Sequence, residues 1–179
     1  VSGTPVSDTR STNGAEQRLV VVCGLPGTGK TTVSGHAAET LDAELLRTDV
    51  VRTDLFPEPD YTPAEVAAVY DALLDRAGAA LRDGDSVVLD GTFKNHARRA
   101  AARQLADSVG VRFELVKVEC TEAVVRDRIR ARSGDESDAD FAIHQQFREE
   151  FDPIPGNDHG IIDNSGDRDA TRSQLVALL

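Results

Sequence analysis

Gly24-Leu-Pro-Gly-Thr-Gly-Lys30-Thr31 spaces two glycines, a lysine and a hydroxyl as G-x-x-x-x-G-K-T, a pattern suited to holding a polyphosphate. The glycines let the backbone bend until its N–H groups converge on one point. A helix opening at the end of the loop adds the partial positive charge of its N-terminus. Lys30 can reach the β- and γ-phosphates, and the Thr31 hydroxyl can ligate Mg²⁺. The expected nucleotide contacts are therefore Gly24, Pro26, Gly27, Thr28, Gly29, Lys30, Thr31 and Thr32.

Three further segments carry groups that such chemistry needs. Ser86-Val-Val-Leu-Asp90 is an apolar run closed by a carboxylate, and Asp90 is the expected metal partner beside Thr31, directly or through water. The chain has no Asn-Lys-x-Asp stretch for guanine, so ATP is the expected nucleotide. In Arg47-Thr-Asp49-Val-Val-Arg52 the acid and the second arginine stand three apart and share a face if a helix starts there. Asp49 could then accept the proton of an acceptor hydroxyl while Arg52 steadies an anionic group. Over Val124–Arg132, at about 100° per residue, Arg128 and Arg132 fall within the apolar stripe and Arg126 and Arg130 on the opposite face. An inward arginine needs an anion, and a triphosphate is one.

These residues need a scaffold that brings them to one edge. Leu19–Cys23 is continuously apolar, the mark of a strand buried on both faces. A helix follows from Lys30 to about Leu41, then a shorter strand at Glu44–Arg47. Thr62-Pro63-Ala64-Glu65 forms a capping box with proline at the first helical position. It opens a helix to about Arg82 with Val66, Val69, Tyr70, Leu73, Ala77 and Leu81 on one face. Strands are expected at Ser86–Leu89, Phe113–Val118 and Ile161–Ile162. Helices are expected at Asn95–Ser108, from Thr121 to about Arg132, from Ser137, and at Ala170–Leu179. Such alternation implies a parallel sheet with helices on both faces, which binds ligands at the carboxyl ends of its strands. Residues 1–17 are polar and aperiodic and read as a flexible tail, leaving 18–179 as one domain.

Composition narrows the partners. The chain of 179 residues carries 31 acidic and 20 basic groups, a net −11, and its only lysines are Lys30, Lys94 and Lys117. An acidic shell with few lysines resembles proteins adapted to molar salt, as in haloarchaea, and weighs against broad affinity for nucleic acid. No apolar run is long enough for a membrane helix and no apolar leader opens the chain, so a cytoplasmic location is expected. Cys23 and Cys120 fit no metal spacing.

Taken together, GLPGTGKTT, RTDVVR, VVLDGTFKNHARR and VVRDRIRARSGD resemble the P-loop kinases that include the polynucleotide 5′-hydroxyl kinases. The resemblance covers about residues 18–150. It implies that Asp49 is the base and Arg52 an acceptor-side arginine. It aligns Thr92, Asn95, Arg98 and Arg99 with a Thr-x-x-Asn-x-x-Arg-Arg stretch and Arg128 and Arg132 with a lid arginine pair. The family's Asn after that Thr is Phe93 here. Zeta-toxin-like, gluconate and antibiotic kinases share the same ATP site.

The resulting expectation is a three-layer αβα P-loop NTPase fold with a five-stranded parallel sheet, using ATP and Mg²⁺ to phosphorylate a hydroxyl of a small metabolite or a 5′-hydroxyl nucleic-acid end. Lys30, Asp49, Arg128 and Arg132 would be catalytic, and Arg128 would also touch the nucleotide. Arg52, Arg98 and Arg99 would bind the acceptor, and Thr31 and Asp90 the metal. The segment Asp163-Asn164-Ser165 would border the adenine. The rival reading is an ATPase or nucleotide switch that phosphorylates no acceptor.

Overall fold

The computed structural model describes residues 16–133 and 137–179. Its elements run β1 (Arg18–Cys23), α1 (Lys30–Leu41), β2 (Glu44–Arg47), α2 (Thr48–Leu55), α3 (Pro63–Arg82), β3 (Val87–Asp90), α4 (His96–Val109), β4 (Arg112–Glu119), α5 (Glu122–Ser133), α6 (Ser137–Glu149), β5 (Gly160–Asp163) and α7 (Arg168–Leu178). The strands form one sheet in the order β2-β3-β1-β4-β5, and every pairing is parallel. β1 lies at the centre, and Leu19 through Cys23 are fully buried, as its unbroken apolar run demands.

Alternation along the strands divides the core in two. Leu19, Val21, Cys23 and Leu89 face a layer that includes Leu73 and Ala77 of α3 and Ala102 and Ala106 of α4. Val20, Val22, Val88, Val116 and Val118 face Val33 and Ala37 of α1 and Leu175 of α7. This is the expected three-layer arrangement. A smaller cluster, Val125, Ile129 and Phe141, joins α5 to α6.

Register aligns the carboxyl ends of the strands. Arg47 and Val22 both pair with Asp90, Cys23 with Lys117, and Glu119 with Asp163. Local chemistry sets the entries to several helices. The Thr62 hydroxyl accepts from Glu65 N–H at 3.2 Å ahead of Pro63, as the capping box requires. Asp167 caps α7 through Ala170 N–H at 2.8 Å.

Two expectations shift. Of the tail, residues 1–15 lie outside the described residues, but Gln17 belongs to the fold, its amide donating to Leu81 O at 2.6 Å and Asp85 O at 2.7 Å. β3 extends to Asp90 because that carboxylate finds partners beside the strand. The helix expected from Ser137 is α6, which begins there. Cys23 is an inert core residue, its thiol pushed up to about 11 mainly by burial. Among the described residues no helix is long and apolar enough to cross a membrane.

Candidate active site

β1 ends at Cys23 and the phosphate loop begins at once. Gly24 has φ 148°, and a Cβ there would stand 2.6 Å from the Val118 carbonyl oxygen of β4, so only glycine fits. Gly29, at φ 84°, caps α1, and its missing Cβ leaves room for the Asn164 amide. The Thr28 hydroxyl donates to Leu25 O at 2.8 Å, and Lys30 Nζ to the same oxygen at 2.9 Å. Burial pushes the Lys30 ammonium below its ordinary pKa, with the Asp90 charge opposing and the Arg132 charge reinforcing the shift. A polyphosphate beside it would supply the counter-charge that this environment lacks.

Asp90 closes β3 and is buried. Its Oδ2 accepts from Ser34 Oγ of α1 at 3.0 Å and stands 3.8 Å from Arg47 Nε. Thr31 is exposed in the first turn of α1. One hydroxyl and one carboxylate beside a phosphate loop suit Mg²⁺, which keeps waters and phosphate oxygens as most of its ligands. Among the described residues no group of three His, Cys, Asp or Glu side chains forms an all-protein cage, and a nucleotide-borne Mg²⁺ needs none.

Across from the loop, α2 starts directly from β2, placing Asp49 in its first turn. The Asp49 carboxylate is 65% exposed; Oδ2 accepts from Arg47 Nη2 at 2.7 Å and Oδ1 from Val50 N–H at 2.9 Å. Arg52 does not pair with it. The Arg52 guanidinium lies 4.9 Å from the Tyr61 ring centre, with a buried Nη1 that has no hydrogen-bond partner. Arg98 stacks on Tyr70 at 4.0 Å. Tyr70 Oη accepts from Phe93 N–H at 3.0 Å, and burial keeps its phenol protonated above the ordinary tyrosine range. Phe93 is fully buried at φ 45°, a left-handed backbone that suits asparagine far better than a bulky ring. Its edge-on contact with Tyr70, 5.0 Å between centroids, helps hold it there.

Arg99 departs from its expected acceptor role. It is buried, and its guanidinium is spent on carbonyls: Phe93 at 2.7 Å, Lys94 at 3.0 Å, Asp152 at 2.8 Å and Pro153 at 3.2 Å. Its work is to tie the segment after α6 to the loop after β3.

On α5 the expected inward pair divides: Arg128 faces the phosphate loop, whereas Arg132, expected in the apolar stripe, is exposed near the end of the helix, as are Arg126 and Arg130. Arg128 turns inward, its Nη1 donating to Thr28 O at 3.2 Å and Nη2 to Asn164 O at 2.7 Å. Arg132 is exposed, yet its charge is felt at Lys30. Arg126 pairs with Glu122 at 3.1 Å and lies on the Phe141 ring, and Arg130 is exposed. Sequence reasoning missed Asn164 as a loop contact: it is buried, and its Nδ2 donates to Thr28 O at 2.8 Å. It also missed His144 of α6, whose Nδ1 meets Pro26 O at 2.7 Å. No local motif announces His144, and for Asn164 the only signal is its place after the last strand, which suggested the adenine rather than the loop. Beside the loop opens a cleft of about 550 Å³ bordered by Leu25, Thr28, Lys117, Cys120, His144 and Phe151, among others.

With this geometry in view, comparisons with known proteins are informative. A family model described as an AAA domain matches residues 19–154. Uncharacterized proteins of Mycobacterium bovis and Mycobacterium tuberculosis are 39% identical over 141 residues. The match takes in 72% of this chain and only 28% of their length. Among solved structures, a sugar kinase from Janibacter sp. HTCC2649 superposes with TM-score 0.70 at 16% identity, covering 90% of this chain and 94% of its own. A gluconokinase from Sinorhizobium meliloti 1021 gives 0.66 at 19%, covering 89% and 91%. The APS kinase of M. tuberculosis, solved with AMPPNP and APS, gives 0.67 at 20%, covering 91% and 97%. At these identities the likeness is one of fold.

Proposed function

The chain belongs to the AAA domain family, and from that premise we propose that it is an ATP- and Mg²⁺-dependent kinase that phosphorylates a hydroxyl of a small molecule. One observation carries this reading. A chain of contacts runs from Asp49 to Arg47 at 2.7 Å, from Arg47 to Asp90 at 3.8 Å, and from Asp90 to Ser34 of α1 at 3.0 Å. An exposed carboxylate is thereby tied to the helix that carries Lys30 and Thr31, an arrangement suited to a base that meets an acceptor beside the phosphates.

In this mechanism the loop N–H groups and Lys30 hold the β- and γ-phosphates. Thr31 and Asp90 would hold Mg²⁺, directly or through water, and the ion would supply charge neutralisation for the transferring phosphate. Asp49 takes the proton of the acceptor hydroxyl as its oxygen bonds to the γ-phosphorus and the bond to ADP breaks. Arg52, whose Nη1 lacks a partner, and Arg98 steady the acceptor. Arg128 and Arg132 close on the phosphates. Alanine at either is expected to slow transfer ~10²-fold, the order of one lost electrostatic donor, whereas alanine at Arg126 or Arg130 should leave turnover within about twofold, as a solvated arginine does. Steady-state rates of the four variants check this, and equal losses in all four would reject the assignment.

A small acceptor is favoured by the net −11 charge and by fold neighbours named for sugar, gluconate and APS chemistry. The polynucleotide-kinase resemblance is weakened at Arg99, whose donors are already engaged. ATP consumption screened against sugars, sugar acids, nucleosides and 5′-hydroxyl oligonucleotides, at low and molar salt, tests the proposal. A phosphorylated sugar, sugar acid or nucleoside supports it. Turnover with oligonucleotides alone, weakening with salt by a slope of about −0.7 per phosphate contacted, would move the acceptor to a nucleic-acid end. ATP hydrolysis indifferent to every acceptor would make the protein an ATPase.

A further inference from the structure

We propose that His144 and Asn164 are positioning residues that hold the phosphate loop open-handed, by pinning the carbonyls of Pro26 and Thr28 outward. The inference rests on the reading of residues 24–32 as an ATP site. In a planar trans peptide the N–H and C=O point in opposite directions, so fixing one carbonyl aims the N–H of the following residue. The Pro26 carbonyl shares its peptide with Gly27 N–H, and the Thr28 carbonyl with Gly29 N–H. Both glycines sit at positive φ, 85° and 84°. Glycine moves between positive and negative φ at little cost, so these are the peptides with most freedom to flip. A flip would turn a carbonyl oxygen toward the phosphates where an N–H is needed.

Donors from distant parts of the chain oppose that flip. A carbonyl can only accept, so His144 Nδ1 carries the proton toward Pro26 O at 2.7 Å. The ring is buried in α6 and stacked on Phe141, 5.6 Å between centroids. Asn164 Nδ2 donates to Thr28 O at 2.8 Å. Its amide cannot be reversed without loss, because Oδ1 accepts from Thr171 Oγ1 at 2.8 Å. The neighbouring Leu25 carbonyl is held from within by Thr28 and Lys30.

Two substitutions at His144 separate this role from packing. His144→Asn offers a side-chain N–H near the Nδ1 position but no ring; His144→Phe keeps the ring on Phe141 and offers no donor. Calorimetric titration with Mg·ATP is expected to show about tenfold weaker binding for His144→Phe, the worth of one buried hydrogen bond. His144→Asn should bind within about threefold of the unaltered protein, on the same scale, despite a lower unfolding midpoint. The reverse order, or loss in both or in neither, overturns the proposal. Asn164→Asp exchanges the donor for a second acceptor facing Thr28 O and is expected to lose at least tenfold in affinity; unaltered affinity in a folded Asn164→Asp would remove Asn164 from the role. If the unaltered protein binds no ATP, the nucleotide reading itself falls and takes this inference with it. Tight ATP binding that none of the variants changes overturns the inference alone.

Discussion

Asp49→Asn is expected to bind ATP as the unaltered protein does and to transfer phosphate ~10²- to 10⁴-fold more slowly, the range for a lost general base. Its carboxylate is 65% exposed, so its pairing with Arg47 contributes little to folding. The amide oxygen of asparagine can still accept one of the two bonds that Asp49 accepts from Arg47 and Val50. Nucleotide affinity by calorimetry and turnover with the acceptor found by screening, measured on one preparation, give the answer. Near-normal turnover would reduce Asp49 to a helix-terminal charge and move the search for a base to Asp54 or Asp90.

Lys30→Ala should fail differently. The ammonium lies where burial disfavours its charge, and the one hydrogen bond it makes to the described residues is to Leu25 O of its own loop. Removing it relieves a desolvated cation, so the unfolding midpoint without nucleotide should stay level or rise. The phosphates lose their point charge instead. ATP affinity should fall and transfer drop ~10³-fold, the upper order for a single electrostatic donor, whatever the acceptor. The two variants thus predict opposite patterns: intact binding without transfer for Asp49→Asn, and damage to both for Lys30→Ala. Unimpaired ATP affinity in Lys30→Ala would mean that the loop does not hold phosphate as assigned.

How much of this is legible in a sequence depends on the range of the interaction. The strands announce themselves because a strand buried on both faces leaves no room for polar residues, and Leu19–Cys23 has none. The phosphate loop is a local backbone device, so its motif is local too. Asp90 reads as the acid that closes a strand; that it is also buried depends on Ser34 and Arg47, distant in sequence, which partner its carboxylate. Arg98 and Arg99 are adjacent, and nothing local says which faces the core. The answer comes from carbonyls at residues 93, 94, 152 and 153. Helical angle places both Arg128 and Arg132 inward, but only Arg128 goes there, because its partners, the carbonyls of Thr28 and Asn164, come from two other elements. His144 leaves no trace in the sequence pattern, and Asn164 only its place after the last strand, since each acts on a loop more than a hundred residues away.

The order of the sheet also has a consequence in time. β1, the earliest of the five strands in chain order, occupies the centre and pairs only with β3 and β4. Its two edges therefore stay open until residues 87–90 and then 112–117 have been synthesised. During that interval the nascent chain carries an apolar, β-prone segment with nothing to pair against, the kind of exposure that invites aggregation. Holding such a chain apart from its neighbours is a task for which its own surplus of negative charge is suited. The acidity that weighs against nucleic-acid partners in the finished protein would thus also act earlier, as a guard on its synthesis.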